Sequence, residues 1–325
     1  MKLERYYQNI LDKFVSIYSH LEDGTGYPTV DQLLSSMDPQ FVRMLEQSLG
    51  STLLEEVGLD RRLVDEVVSV ATKFNYGQLP AHLHSFVGAV ALIGFDKQLF
   101  AVEGGNYKVS QCALNLSKAR IVQKDVKTVI KEEHGFRVVG EDDTFDMIIV
   151  ATPLTQDHPQ IQFERFEEDI NIGGNYHQTL STIVRADLNV SALSNTSISE
   201  THHYIFLSPS FPVWSIETMT PVDYDPSQDD QMQSVYRLFS HQPVPRDFLE
   251  IIFNNITHVS TTDWLAYPQY STVDDKLKFE LSPGLFYNNV IETAASALEM
   301  SVIGARNIVN LINQRNAKTT VKDEL

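Results

Sequence analysis

The sequence predicts an α/β protein of the mixed α+β kind, and three stretches carry that reading. Across residues 1 to about 75 the apolar positions Leu3, Tyr7, Ile10, Phe14, Ile17 and Leu21 fall three and four apart, which lines one face of a helix. The run Met147-Ile148-Ile149-Val150-Ala151 is apolar on both faces and is stopped by Thr152-Pro153, the pattern of a buried strand. Near the end, Leu285-Phe286-Tyr287 reads as a strand that leads through Asn288 to Ser296 into a helix. Ala294, Leu298, Ser301, Ala305, Ile308 and Ile312 recur there at helical spacing, and Ala295, Ala297 and Gly304 allow close backbone approach.

Taken in order, helix starts are signalled by the capping box Thr29 to Gln32, by Asp38 with Pro39 at the first helical position, and by Asp60 after Gly58. From Leu99 the period changes. A short strand is expected to reach Glu103-Gly104-Gly105-Asn106, followed by a helix with Val109, Cys112, Ala113 and Leu116 on one side. β-rich stretches follow at Ile121 to Val129 and Phe136 to Val139. Residues 160–220 carry the strand-like runs Thr182 to Ala186, Tyr204 to Leu207 and Val213 to Ile216, and Asp247 to Asn254 returns to helix. The expected organisation is helices over 1–98, an αβ segment over 99–155, a mostly β part with helices over 156–278, a strand and helix over 279–316, and a tail over 317–325.

Composition narrows the function. The 325 residues are 42% hydrophobic and 10% aromatic, enough for a large core. A formal charge of −18, with no clustered Lys and Arg, argues against a nucleic acid partner. The single cysteine, Cys112, excludes an internal disulfide framework and thiolate-rich metal sites. No apolar run approaches the roughly 18 residues of a spanning helix. The last four residues, Lys322-Asp323-Glu324-Leu325, spell the luminal retrieval signal of the endoplasmic reticulum. Sequons at Asn115, Asn189, Asn195 and Asn255 fit a secretory route and are the glycosylation candidates.

Several patterns bear on chemistry. Gly24-Thr25-Gly26 begins like a dinucleotide fingerprint but follows a helix and lacks the third glycine. Neither GxxxxGK[ST] nor GxSxG occurs. His82-Leu83-His84 and His202-His203 lack a third ligand at suitable spacing, so no metal is expected and core or surface roles explain them. Acidic runs at Glu141-Asp142-Asp143 and Asp229-Asp230 read as solvated turns. Asp263 to Tyr270 concentrates Trp264, Tyr267 and Tyr270, which serves either core packing or the apolar wall of a ligand pocket. At the late strand-to-helix turn, unpaired N–H groups suit an anionic atom such as the N1/O2 edge of a reduced isoalloxazine, and a plain packing helix is the other reading.

Ordered segments along the whole chain resemble the prenylcysteine oxidase family, also called prenylcysteine lyase. They are Ile10-Leu11-Asp12-Lys13-Phe14, Asn75-Tyr76-Gly77-Gln78, Phe86-Val87-Gly88-Ala89-Val90, Ala101-Val102-Glu103-Gly104-Gly105-Asn106, Val150-Ala151-Thr152-Pro153-Leu154, Trp264-Leu265-Ala266-Tyr267-Pro268, Ile291-Glu292, Ala294-Ala295-Ser296-Ala297 and Glu299-Met300-Ser301. The resemblance implies a partial monoamine-oxidase or phytoene-desaturase-like FAD-dependent oxidoreductase fold, with interleaved flavin and substrate domains. It implies that the family's signal peptide and its glycine-fingerprinted βαβ unit stand before Met1 as written here.

The activity so implied is oxidative cleavage of the thioether of farnesyl- or geranylgeranyl-cysteine, using FAD and molecular oxygen and giving prenyl aldehyde, cysteine and hydrogen peroxide. A non-catalytic prenyl-peptide binder, or a flavin oxidase of amines or polyenes, are the alternatives. The cofactor contacts it implies are Gly104, Gly105 and Asn106 near the ring, Ala151, Thr152 and Pro153 near the pyrophosphate, and Glu292, Thr293, Ala294 and Ala295 at the helix start. Trp264 and Tyr267 are expected to line the prenyl pocket, with Phe86 and Phe286 behind them, and no catalytic residue is assigned. The family is placed in the lysosome, whereas the C-terminal tetrapeptide would direct retrieval to the endoplasmic reticulum. Oligomeric state is left open.

Overall fold

The computed structural model describes residues 2–93, 100–193, 203–208, 211–220, 233–271 and 278–323. The expected start of a strand at Leu99, the sequon at Asn195, His202, Asp229-Asp230 and the last two residues fall outside them.

The amphipathic N-terminal stretch forms α1 (Lys2–Phe14) and α2 (Ser16–Glu22), and Leu3, Ile10, Ile17 and Leu21 are buried along one side. The capping signals act where the sequence places them. Thr29 caps α3 (Val30–Met37) by accepting from the Gln32 amide, and Asp38 caps α4 (Pro39–Glu46) by accepting from Gln40. The Lys13 ammonium, 2.6 Å from Asp38, holds that carboxyl below its usual range. Short α5 (Leu49–Ser51) and α6 (Arg61–Leu63) each run on into a π-helical turn, and Asp60 caps the latter. Then come α7 (Ser69–Tyr76), closed by Gly77 at φ 64°, and the buried α8 (Ser85–Ile93).

The segment after α8 departs from expectation. The described residues from Phe100 to Asn106 form turns rather than a strand, and α9 (Tyr107–Ser117) carries Val109, Cys112 and Leu116 exposed. Ile121 to Val126 is also irregular and mostly exposed, with no sheet partner among the described residues to make it a strand.

Three sheets follow. In the first, β1 (Thr128–Lys131) pairs antiparallel with β2 (Phe136–Val138), β2 pairs with β3 (Thr144–Phe145), and β5 (Gln162–Glu164) joins β1 in parallel. Between β3 and β5 in the chain lies β4 (Ile148–Val150), the strand the apolar run predicts. It is an edge strand of a different sheet, so Ile149 is 50% exposed rather than buried. The largest sheet is antiparallel, ordered β10-β6-β9-β8-β7: β6 (Tyr176–Leu188), β7 (His203–Ile205), β8 (Ser215–Met219), β9 (Val235–Ser240) and β10 (Phe253–Pro268). Helix α10 (Val190–Leu193) follows β6, and α11 (Arg246–Ile252) buries Leu249 and Ile252 on one face of this sheet.

The long strand β10 is the element the sequence reading missed. Its middle is exposed on both faces, so it lacks the apolar alternation that marks a half-buried strand.

The last sheet takes β11 (Glu280–Ser282) and β12 (Leu285–Tyr287), with β12 running parallel to β4 in the register Leu285 to Ile148, Phe286 to Ile149 and Tyr287 to Val150. A 3-10 turn, Asn289–Thr293, then leads to α12 (Leu298–Asp323). The buried face of α12 is rotated from the expected one. Leu298 and Ala305 face outward, while Met300, Ile303, Asn307, Ile308 and Asn310 face in.

Two of those inward residues are amides with a defined task. Asn307 accepts from the Tyr27 amide at 2.7 Å and donates to the Tyr27 carbonyl at 2.9 Å, and Asn310 donates to the carbonyls of Leu21 and Thr25. The glycine pattern at Gly24 to Gly26 is therefore a clamp point for α12. A Cβ on Gly26 would stand 2.7 Å from the Leu311 nitrogen.

One hydrophobic core joins α1 to α4, α8, β1, β2, β4, β12, the 3-10 turn and α12. A second lies under the large sheet and a third under α5 to α7.

Candidate functional site

The site is set by the parallel pair β4 and β12, because parallel strands present their carboxyl ends, and the loops that leave them, on the same side. Here those loops are Ala151-Thr152-Pro153 and Asn288 to Ala295, two segments far apart in sequence. The Asn288 amide donates to the Val150 carbonyl at 2.9 Å, and the Leu154 amide donates to the Tyr287 phenol oxygen at 3.3 Å. Ala151 and Thr152 are exposed, Pro153 is half-buried, and Leu154 is buried. A cleft of about 530 Å³ runs along β4, lined among others by Lys124, Lys127, Ile149, Ala151, Thr152 and Ile161. Its lysines are already paired, with Glu141 and Asp125.

A polar cluster around Glu292, whose other members no motif announces, braces the second segment. Glu292 is half-buried in the 3-10 turn; it accepts from the Tyr176 hydroxyl and, at 3.1 Å, from Asn289 Nδ2. Burial raises its carboxyl above the ordinary range, and those two hydrogen bonds oppose the rise. Burial also carries the Tyr287 phenol to about 12 and Tyr176 far above its usual value. The Tyr176 amide donates to Asp157, which also accepts from Thr155 Oγ1 at 2.7 Å, and the ring of His158 meets Tyr176 edge-on at 4.6 Å. Desolvation raises Asp157, but its hydrogen bonds from Thr155, Tyr176 and His158 together lower it. Tyr176 opens β6 and Asp157 lies in a loop, so no local spacing announces that they meet.

Ala294 and Ala295 are fully buried, and Thr293 is half-buried. Past them α12 begins at Leu298, and Ala297 before it has no side-chain acceptor to offer the amides of the first turn.

Gly104, Gly105 and Asn106 lie elsewhere, in the exposed turn before α9. Their described hydrogen bonds are local: Asn106 Oδ1 accepts from the Val102 amide at 3.0 Å, and the Gly105 amide donates to the Val102 carbonyl. A Cβ on Gly104 or Gly105 would meet only Lys108 and Tyr107, both within the same turn and helix.

Trp264 and Tyr267 stand on β10 in an aromatic row. Tyr267 stacks on His177 at 5.7 Å and meets Tyr76 edge-on at 5.4 Å; Trp264, 40% exposed, lies 6.0 Å from Phe239. Tyr76 continues the row to Tyr270 at 5.3 Å, beside the start of α12. Phe86 and Phe286 are fully buried in the main core.

His84 of the His82-Leu83-His84 pair is buried and pushed down to about 4 by desolvation, against the opposing hydrogen bond to Thr293, so it is neutral at physiological pH. Among the described residues no group of three or more His, Cys, Asp or Glu is placed to hold a metal ion, and no helix is long and apolar enough to cross a membrane. Of the described sequons, Asn115 on α9 and Asn255 on β10 are exposed and Asn189 is half-buried. The Asn189 and Asn255 amides donate to Ile251 O and to Asp187.

Comparison with known proteins adds the family. The sequence profile of prenylcysteine lyase matches residues 1–324. The chain is 30% identical over 354 residues to the protein prenylcysteine oxidase 1-like of Bos taurus, an alignment covering 100% of this chain and 72% of that protein. It is 29% identical to prenylcysteine oxidase 1 of Bos taurus over 347 residues, with 100% and 68% covered, and 29% identical to that of Homo sapiens over 352 residues, again with 100% and 68% covered. Among solved structures, cyclohexylamine oxidase from Brevibacterium oxydans IH-35A superposes with a TM-score of 0.51 at 12% identity, covering 95% of this chain and 76% of that chain. The chain shares the fold of that oxidase.

Proposed function

The chain belongs to the prenylcysteine lyase family, and we propose from this that it is an FAD-dependent prenylcysteine oxidase. The substrate is the thioether of a farnesyl- or geranylgeranyl-cysteine. The balanced reaction takes prenyl-S-cysteine, one O₂ and one water to prenyl aldehyde, cysteine and hydrogen peroxide. When bound, FAD supplies a two-electron acceptor for the carbon that joins sulfur to the isoprenoid, and a route for those electrons to oxygen.

The observation that carries the placement of the cofactor is the pairing of Ala151 to Pro153 with Asn288 to Ala295 at the carboxyl ends of β4 and β12, the usual location of a nucleotide in such sheets. The chemistry fits: the start of α12, preceded by Ala297 with no side-chain acceptor, would turn backbone N–H groups toward the electron-rich edge of a flavin ring. Glu292, Thr293, Ala294 and Ala295 would adjoin the ring and Ala151, Thr152 and Pro153 the pyrophosphate side. Gly104, Gly105 and Asn106 stay in the proposal as ring contacts that need the α9 turn to approach. In the same reading, residues 99–155 and 279–316 form the flavin side, and 1–98 and 156–278 form the substrate side. The common sheet of β4, β11 and β12 supports that interleaving.

The chain's own work is to bury and orient the substrate. Trp264 and Tyr267 give the prenyl tail an aromatic wall, and at about 0.8 kcal/mol per CH₂ a fifteen-carbon chain offers roughly 10 kcal/mol before ordering costs. Fixing the thioether against the acceptor supplies much of the rate, because the cation formed is shared by sulfur and the allylic double bond. We place the enzyme in the lumen of the secretory pathway, with the exposed sequons Asn115 and Asn255 as candidates for glycan.

The test is to add FAD to the purified 325-residue chain and supply farnesylcysteine. Saturable flavin absorbance and peroxide equal to aldehyde support the proposal; a protein that stays yellow but oxidises only amines or polyenes moves the substrate, and a chain that captures prenylcysteine without flavin turns the reading to a binder.

A further inference from the structure

Three ring side chains converge on the stretch Thr293 to Ser296, which joins the 3-10 turn to α12. His84 Nε2 donates to the Thr293 carbonyl at 2.9 Å, and its Nδ1 accepts from the Val87 amide at 3.3 Å, which fixes the tautomer. The Tyr270 phenol oxygen accepts from the Ser296 amide at 2.6 Å, and the Tyr76 hydroxyl donates to the Ser296 carbonyl at 3.3 Å. The rings brace one another edge-on, Tyr76 to Tyr270 at 5.3 Å and His84 to Tyr270 at 5.5 Å. Tyr270 is itself held by its amide, which donates to Gln78 Oε1 at 2.9 Å. Ala294 and Ala295, the fully buried pair between the anchor points, have no side-chain hydrogen bonds of their own.

From this geometry we infer that His84, Tyr270 and Tyr76 are positioning residues that clamp the backbone on both sides of Ala294 and Ala295, so that the start of α12 is a rigid wall toward the flavin. The inference rests on the cofactor placement proposed above. The physical reason is that a backbone donor set is useful only when its direction is fixed in advance. Ser296 has both of its backbone groups committed to phenols, and the Thr293 carbonyl is held by a donor that cannot rotate away. The amides of Leu298 to Met300 follow directly from this anchored point. None of the three rings needs to touch the cofactor.

The test uses the full chain with Tyr270→Phe, His84→Leu and His84→Gln, the last of which keeps a donor near the position of Nε2. Hydrogen exchange at the Ser296 amide is read without cofactor, and FAD affinity is read by quenching of flavin fluorescence. Tyr270→Phe is expected to speed exchange at Ser296 about tenfold or more while α8 remains protected, the effect of one lost hydrogen bond. Tyr270→Phe and His84→Leu are expected to weaken FAD binding about tenfold, and His84→Gln to recover most of it. Unchanged exchange at Ser296 overturns the clamp. Faster exchange with undiminished FAD affinity and an unaltered bound-flavin spectrum overturns the positioning role and leaves the rings structural. Failure of the unsubstituted chain to take FAD defeats the cofactor placement instead, and is told apart because the exchange result does not depend on it.

Discussion

Replacing Asn307 by Ala tests how the N-terminal helices are tied to the sheet that carries the site. Asn307 is fully buried in α12, and its amide closes a two-point bond on Tyr27, accepting at 2.7 Å and donating at 2.9 Å. The substitution removes both hydrogen bonds and leaves an N–H and a C=O in a partly buried loop. At about 0.5–1.5 kcal/mol for each bond, with an added penalty for a group left unpaired, the loss comes to roughly 2–4 kcal/mol. That is a large share of the roughly 5–15 kcal/mol that holds a domain folded. The effect should reach the site, because Pro28 in the same loop accepts from the Phe279 amide at 3.0 Å, immediately before β11. Urea denaturation followed by tryptophan fluorescence measures it, with an unchanged slope showing that the surface exposed on unfolding is the same. Asn307→Leu, which keeps the volume but not the donor and acceptor, should cost nearly as much. A loss below about 1 kcal/mol in both variants would refute the clamp, since it would mean that water or a rearranged loop satisfies Tyr27 as well as Asn307 does.

Further outcomes follow from the same contacts. Gly26→Ala forces a Cβ to within 2.7 Å of the Leu311 nitrogen and should cost about 1–3 kcal/mol, more than Gly24→Ala, whose Cβ meets open space and bears only its φ of 81°; thermal melts of the two compare them, and the reverse order would count against the close approach of α12. His84 and His177 are both pushed down to about 4, mainly by burial, so the unfolded chain binds more protons than the folded one between about 6.5 and 4. Stability should therefore fall as pH drops through that window, with His84 contributing roughly 3 kcal/mol of the loss. Glu292, raised by burial, acts in the opposite sense, and Asp38 and Asp157, both lowered, lose their contribution below the ordinary carboxylate range. Urea midpoints across pH 4 to 7 should show the fall, and His84→Gln should flatten it. Tyr176→Phe removes a hydrogen bond that lowers Glu292, so carboxyl titration by NMR should find Glu292 moved further upward.

Much of this architecture is legible in the chain because it is local. Thr29, Asp38 and Asp60 announce helix starts by capping chemistry, and all three act as caps. The run ending at Ala151 and the run starting at Leu285 are visible as strands, although their parallel pairing is a long-range fact that no spacing encodes. β10 escaped notice because exposure on both faces erases its alternation. The face of α12 differs from the apolar spacing for a related reason: Asn307 and Asn310 are polar, which hydrophobic periodicity does not count, yet they point inward and bond backbone groups of residues 21–27. The segments at 151–153 and 292–295 are proposed as cofactor contacts from the resemblance alone, whereas the hydrogen bonds that bring Tyr176, His84, Tyr76 and Tyr270 to residues 292–296 are long-range facts that no spacing encodes.

The most direct measurement of the central claim is a titration of the 325-residue chain with FAD, followed by farnesylcysteine under air, recording flavin absorbance, aldehyde and peroxide together. The account predicts saturable binding that Tyr270→Phe weakens, bleaching of the flavin by substrate, and aldehyde and peroxide formed one to one. Flavin bound with the same affinity after Glu292 to Ala295 are exchanged for a flexible glycine-serine stretch would contradict it, because the ring would then be held somewhere other than the turn between β12 and α12.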